Sequence, residues 1–383
     1  MYKICKINKY CNIIYIAVFM SVISLPLIGS FYGWDLIRIE EKRKLAICPS
    51  FKIDPINIIP EKFEIFYKDH FGFRNILIKS HNWIKYKLLK GSSVGNVLLG
   101  KDNWLFLSKS GMIIDYLGQD SLTNKELNCW KDWLENRQKW LQERQIRHLF
   151  VIAPNKITIY PEQLPNHLCD DKGRTQMDQL LDYLHENSTV EFLDLRKPLQ
   201  QAKETGLVYY PNDTHWTDWG IFVVYTKLCD RVAQWFPDVQ PYSIENFTIE
   251  TERHKGDLAT MLGLGDELSV ECKSLIPLTS LKSNLVDFEL PEECIRGDLA
   301  RQQIATETKG SKRRLLIFHD SFWTRGELYK LTAEHFSRIV CVDGIADTNI
   351  LKVLVEFENP DIVIEEIAER KLKDIVSNIS DYK

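Results

Sequence analysis

Arg313–Trp323 reads RRLLIFHDSFW. Four consecutive apolar residues, Leu315 to Phe318, follow two arginines and stop at His319, Asp320 and Ser321. A short uninterrupted apolar run of this kind is a strand buried on both faces, and its polar end marks where the chain leaves the sheet. The helical pattern GELYKLTAEHF comes next, then the strand RIVCVD, a helix near Ile350–Phe357, the strand DIVIEE and a closing helix. Upstream, a charged, tryptophan-studded helix is expected from Asn124 to Gln145, carrying Trp130, Trp133 and Trp140. After it come the strand HLFVIAP ending at Pro154, a helix around Thr175–His185 and the strand VEFLDL. Strand alternating with helix predicts an α/β fold with a largely parallel sheet. The active site of such a sheet lies beyond the carboxyl ends of its strands, which is where Ser321 falls.

VLLGKDNWLFL (97–107) reads as two short strands about a Gly-Lys-Asp-Asn turn. KFEIFYKDHFGFRNILIKSHNWIKYKLL (62–89) reads as helices interrupted near Asp69–Arg74. Residues 238–312 resist reading and are expected to form a subdomain or long excursions over the site.

At the amino terminus IIYIAVFMSVISLPLIGSFYGW (13–34) carries no charge. That length matches the roughly 20 residues needed to cross ~30 Å of hydrocarbon. Lys3, Lys6 and Lys9 precede it, placing the terminus in the cytoplasm. Tyr32 and Trp34 suit the far interface. A retained anchor is favoured over a cleaved signal peptide, because no small-x-small cleavage site follows. The expected organisation is a cytoplasmic terminus (1–12), an anchor (13–34), a proline-bearing tether (35–60) and a domain (61–383) outside the cytoplasm.

Apolar residues make up 44% of the 383, enough for a packed core, and the net charge of −4 is spread along the chain. The basic footprint of a nucleic-acid binder is missing, and that function is set aside. Nine cysteines form no CxxC, which leaves zinc-ribbon and thioredoxin-type motifs unsupported. Cys272 and Cys294, in a polar stretch, are the one suggested disulfide, with scattered reduced thiols as the equal alternative.

Two segments offer chemistry. In YYPNDTHWTDWG (209–220), Asp213 and His215 lie two apart, so a short bend lets the carboxylate hold one imidazole nitrogen and leaves the other as a base. In FHDSFW (318–323), Ser321 leaves a strand and opens a helix, near backbone N–H donors suited to an oxyanion. A serine needs a base, and the base an orienting acid. His319 and Asp320 beside Asp213 and His215 also make a passable divalent-metal set, but at no familiar zinc spacing, and no metal or other cofactor is expected.

VLLGKDNWLFL, APNKITIYPEQLP, YPNDTHWTDWG, GDLATMLGL, FHDSFW and PDIVIEEIAERKL occur in the order seen in the AlgJ/AlgX-type family, which the chain resembles over roughly residues 60–383. The resemblance implies an SGNH-hydrolase-like domain after one transmembrane helix, with Asp213, His215 and Ser321 as a catalytic triad. It also implies O-acetylation of a bacterial exopolysaccharide facing the periplasm or cell exterior. A membrane-bound acyltransferase would supply the acetyl group, beside polysaccharide synthesis and export proteins. Ordinary SGNH hydrolases place serine first; here Asp-x-His precedes it, as in this family, and geometry rather than order defines a triad. Trp216, Trp323 and Arg325 are the candidate substrate contacts, the indoles for stacking on sugar and the arginine for an acidic polymer. Trp219 reads as core, and Gly256 as either a second oxyanion donor or a turn glycine. An acetyl esterase using the same residues and a non-catalytic scaffold are the alternatives.

Overall fold

The computed structural model describes residues 2–32, 34, 44–50, 54–109, 111–294, 303–325, 328–345 and 347–379. Its strands are β1 (Val97–Leu99), β2 (Leu105–Leu107), β3 (Arg147–Ala153), β4 (Phe192–Asp194), β5 (Phe247–His254) and β6 (Val270–Pro277), followed by β7 (Ser283–Val286), β8 (Gln303–Thr308), β9 (Arg314–His319), β10 (Arg338–Asp343) and β11 (Ile362–Ala368). The principal sheet runs in the order β4-β3-β11-β9-β10-β8-β7. From β4 to β10 every neighbouring pair is parallel. The last two strands, β8 and β7, join antiparallel. They come from the stretch the sequence left unread, which also supplies the antiparallel pair β5-β6.

Alternation along the strands loads both faces. Leu149 and Val151 of β3, Leu315 and Ile317 of β9 and Ile364 of β11 meet Ile221, Val224, Tyr225 and Leu228 of the helix Asp218–Val232. Phe150 and Ile152 point the other way, onto Trp130, Trp133 and Leu134 of the helix Asn124–Gln142 and Leu180 and Leu184 of Gln176–Asn187. Leu316, Phe318, Val340 and Val342 pack beneath Leu351 and Leu354 of Thr348–Glu358. Helices on both faces explain why the parallel strands read as continuous apolar runs. Thr123 with Glu126, and Thr175 with Asp178, close reciprocal capping boxes that set where two of these helices start.

The glutamates in DIVIEE sit inside β11 and divide between its faces. Glu365 accepts from Arg137 at 2.8 Å and faces His148 Nε2 at 2.9 Å. Glu366 instead accepts the Asp320 N–H at 2.9 Å, under the turn that carries Ser321.

The suggested disulfide is corrected. Cys272 and Cys294 form no disulfide, and neither do Cys11, Cys48, Cys129, Cys169, Cys229 and Cys341. Pairing of β5 with β6 turns the Cys272 thiol to the Glu252 carbonyl, while Cys294 packs among Leu290, Leu351 and Val342.

The chain forms two compact units, residues Met1–Val94 with Thr260–Gly265, and Gly95–Ala259 with Asp266–Lys383. Residues 61–94, grouped by the sequence with the large domain, therefore lie in the first unit. That unit holds the helix Tyr2–Tyr32, whose segment Cys11–Ser30, with mean hydropathy 2.2, is long and apolar enough to cross a membrane. Of the expected tether, residues 35–43 and 51–53 lie outside the described residues.

Candidate active site

β9 delivers the nucleophile candidate. After His319 the chain turns at Asp320, and Ser321 opens the short helix Ser321–Arg325. Asp320 holds this turn to the end of the sheet. One carboxylate oxygen accepts the Phe322 N–H at 2.9 Å, and the other accepts the Ala368 N–H of β11 at 3.0 Å. Burial pushes the Asp320 carboxyl up, but the Arg370 and Lys371 charges and the two N–H donors outweigh it and keep it ionised. His319 donates from Nδ1 to the Asp320 carbonyl at 2.7 Å, and burial lowers its pKa. Phe322 and Trp323 are buried and anchor the helix beneath Ser321.

The second segment is clamped as firmly. Tyr209 bridges to Trp216, and Thr217 caps the helix Asp218–Val232 through the Gly220 N–H at 3.1 Å. Asn212 donates to the carbonyls of His254 and Leu268. Beneath the bend, fully buried Lys156 donates to the carbonyls of Tyr210 (3.0 Å), Pro211 (3.2 Å) and Asp213 (2.6 Å). Burial lowers its pKa to about 7, against the opposing charges of Asp213 and Asp257.

The two segments meet. His215 Nε2 lies 3.0 Å from Ser321 Oγ, and His215 Nδ1 lies 2.7 Å from Asp213 Oδ1. An ionised carboxylate only accepts, so Nδ1 carries the proton and the Nε2 lone pair faces the serine hydroxyl. Asp213 Oδ1 also accepts the His215 N–H at 2.9 Å. Its Oδ2 takes the Asp257 N–H at 2.7 Å and faces His254 Nε2 at 3.1 Å. Burial pushes the Asp213 carboxyl up, but the hydrogen bonds from His215 and His254 and the charge of His215 prevail and hold it far below the usual carboxylate range. His254 is itself held by its ring stacked on Tyr210, with centroids 3.8 Å apart.

The remaining candidates separate. Trp216 and Trp323, 2% and 1% exposed, offer no ring face to a sugar, which corrects the stacking expectation. Their indoles lie in the apolar layer with Tyr209 and Phe322, and Trp216, which follows His215, points to the opposite side of the chain from it. Arg325 is exposed at the end of the Ser321 helix. Gly256 is needed for close approach, since a Cβ there would lie 2.0 Å from the Asn212 carbonyl. The Phe322 N–H is committed to Asp320 and cannot serve an oxyanion. Asp213, His215 and Asp257 bring three ligand atoms within 4.8 Å of one another, a spacing open to a metal ion. Their oxygens already accept N–H and O–H donors, including Thr214 N at 2.8 Å and Thr214 Oγ1 at 3.1 Å on Asp257, so the donor set fits a hydrogen-bonded triad better than a cation. His319 through Nδ1 and Asp320 through both carboxylate oxygens bond backbone, and neither residue belongs to that group.

Sequence reasoning missed Lys156, His254 and Asp257. A lysine within the apolar stretch APNKITIY was a usable signal for the first. Nothing in the sequence pointed to the other two, which reach Asp213 only through the β5–β6 excursion.

Comparison with known proteins agrees with this architecture. Residues 97–280 match the family model described as SGNH hydrolase-like domain, acetyltransferase AlgX. The chain is 29% identical over 205 residues to the probable alginate O-acetylase AlgJ of Pseudomonas syringae pv. tomato, covering 52% of this chain and 50% of that protein. To the probable alginate O-acetylase AlgJ of Pseudomonas aeruginosa it is 26% identical over 267 residues, covering 68% of this chain and 62% of that one. It thus spans between half and about two thirds of the length of these curated relatives. The structure of Bacillus cereus PatB1 superposes with a TM-score of 0.53 at 16% identity, over 72% of this chain and 96% of that one, which establishes a shared fold. With the family model resting on the segment that carries Asp213 and His215, and the AlgJ relatives matching beyond it, the chain is similar to the AlgJ/AlgX-type family of SGNH hydrolase-like proteins.

Proposed function

We propose that this chain is an O-acetyltransferase that moves an acetyl group onto hydroxyls of a bacterial exopolysaccharide, outside the cytoplasm. The observation that carries it is His215 lying between Asp213 and Ser321 at 2.7 and 3.0 Å. Ser321 Oγ attacks the acetyl carbonyl of the donor while His215 Nε2 takes the hydroxyl proton. That proton passes to the leaving group, and acetyl-serine remains. A sugar hydroxyl then attacks the ester carbonyl and gives its proton to His215. Collapse of the second tetrahedral intermediate transfers the acetyl group, and the proton returns to Ser321 Oγ. Asp213 holds the Nδ1–H tautomer and stabilises the imidazolium of both steps.

The alginate O-acetylase names of the AlgJ relatives support a polysaccharide acceptor. Arg325, exposed beyond Ser321, is the candidate contact for an acidic polymer. A membrane-bound acyltransferase is the proposed acetyl source, and polysaccharide synthesis and export proteins the proposed company. The uncharged segment Cys11–Ser30 of the amino-terminal helix is read as a membrane anchor of this extracytoplasmic protein. The test is an activated acetyl ester. Wild type should release the leaving group and gain one acetyl mass on Ser321, and Ser321→Ala should gain none. Added oligosaccharide should become acetylated. Acetate alone, with loss of acetyl groups from a pre-acetylated glycan, would make the protein an esterase. Glycan binding without any adduct would make it a scaffold.

A further inference from the structure

In the first unit the loop Phe71–Phe73 is seated against the carboxyl end of the apolar helix. The Gly72 N–H lies 3.1 Å from the Pro26 carbonyl and 2.8 Å from Ser30 Oγ, and Ser30 in turn donates to Pro26 O at 2.9 Å. A Cβ on Gly72 would lie 2.6 Å from that carbonyl and 2.7 Å from Gly29 Cα, so only glycine permits the approach. The Trp34 and Phe73 rings lie 6.1 Å apart beside it. Pro26 and Ser30 belong to the last turns of the 20-residue apolar segment. The loop therefore sits at the level where that segment ends, and the helices Ile59–His70 and Arg74–Lys87 meet there.

The second of these helices has one committed face and one open one. Asn82 and Tyr86 are buried, and Asn82 donates to the Leu262 carbonyl at 2.7 Å. Leu77, Ile84 and Leu88, spaced at helical intervals along another face, are 51%, 45% and 68% exposed. Trp83 and Leu89 extend the apolar surface, and Phe63 and Ile65 add to it from the preceding helix. From Phe71 to Val94 the chain carries five cations, Arg74, Lys79, Lys85, Lys87 and Lys90, and no acidic residue. A basic helix with an apolar face is the composition of an element lying in a membrane interface, where its apolar side chains sink ~5–10 Å and its cations meet anionic headgroups.

We propose that the helix Arg74–Lys87 lies along the membrane surface beside the anchor, with Leu77, Ile84 and Leu88 in the acyl boundary and the lysines on anionic lipid headgroups. This rests on the reading of the amino-terminal helix as a membrane anchor. The occupant is lipid rather than protein because the loop joins the two helices at the end of the apolar segment, and because residues 71–94 carry five cations and no acidic residue.

The test places a benzoylphenylalanine photoprobe at Leu77, Ile84 or Leu88 of the full chain, in nanodiscs of phosphatidylcholine with or without phosphatidylglycerol. A probe at Ile23 reports the anchor, and one at buried Tyr86 serves as control. Lipid adducts at Ile84 and Leu88 severalfold above Tyr86, and higher with phosphatidylglycerol, are expected. The combined variant Lys85→Gln, Lys87→Gln, Lys90→Gln should lose the dependence on phosphatidylglycerol. Lipid adducts at Ile23 with none at Ile84 and Leu88 would overturn the surface assignment and leave the anchor standing. Crosslinks from Ile84 to protein would overturn it in favour of a partner or a second copy. No lipid adduct at Ile23 would overturn the anchor itself, whatever the helix does.

Discussion

Asp213 holds two imidazoles, one on each carboxylate oxygen, and the second is more than scaffolding. His215 is the proposed base, and His254 shares the negative charge of Asp213 with it. His254→Ala leaves Asp213 Oδ2 with the Asp257 N–H alone. More of the carboxylate charge then acts on His215 and stabilises its imidazolium. Losing a hydrogen bond to a charged group should cost about tenfold or more in kcat. His254→Gln keeps an N–H donor and should recover most of the rate. An unchanged kcat in His254→Ala would leave His254 with a packing role only. Among the triad, Ser321→Ala should abolish the acetyl adduct and His215→Ala should slow it by several orders of magnitude. Asp213→Ala should have a smaller but still large effect, read by single-turnover release of the leaving group.

The bend from Tyr210 to Asp213 is neither helix nor strand, and its carbonyls have little regular structure to satisfy them. Lys156, on the short helix Lys156–Ile159 after β3, satisfies three of them. Lys156→Met keeps the stem packed near Trp104 and Phe106 but removes every donor. Destabilisation of ~1–3 kcal/mol is expected by urea unfolding, since the buried Asp213 carbonyl loses its Lys156 donor while those of Tyr210 and Pro211 keep only the N–H groups of Asp213 and Leu105. The yield of acetyl-Ser321 should fall further than the loss of folded protein accounts for, because Asp213 would drift from His215. A variant as active as wild type per folded molecule would show that the bend holds its own shape. This element also marks a limit of sequence reading. Periodicity located β3, β9 and β11 because burial on both faces writes an apolar run, whereas a bend held by a lysine from another element leaves no local pattern.

Across the whole molecule, burial of charge makes stability depend on pH near neutrality. Glu369 accepts from the Asn155 N–H at 2.6 Å and the Thr158 hydroxyl at 2.7 Å, and burial raises its pKa to about 7, with the Asn155 and Thr158 donors opposing. The folded state thus keeps a proton that the unfolded chain releases near the ordinary glutamate value of 4.5. The contribution is fully present below that value and is lost as pH rises through about 7. Asp115, raised by burial to about 6, acts in the same direction. Glu369→Gln should therefore shrink the difference in unfolding free energy between weakly acidic and weakly alkaline buffer by an amount on the order of 3 kcal/mol. An equal slope in both proteins would mean that Glu369 is ionised when folded. The sequence alone determined the α/β class and the apolar amino-terminal segment, because strand burial and membrane-length apolarity are each written in short stretches of side chains, while the pairing of DTHW with DSF was legible only through the family resemblance. The tertiary structure decided that Trp216 and Trp323 belong to the core, that Cys272 and Cys294 stay apart and that Lys156, His254 and Asp257 gather around Asp213. Each of those outcomes depends on which face a residue turns and which distant segment meets it, and only the paired sheet fixes that.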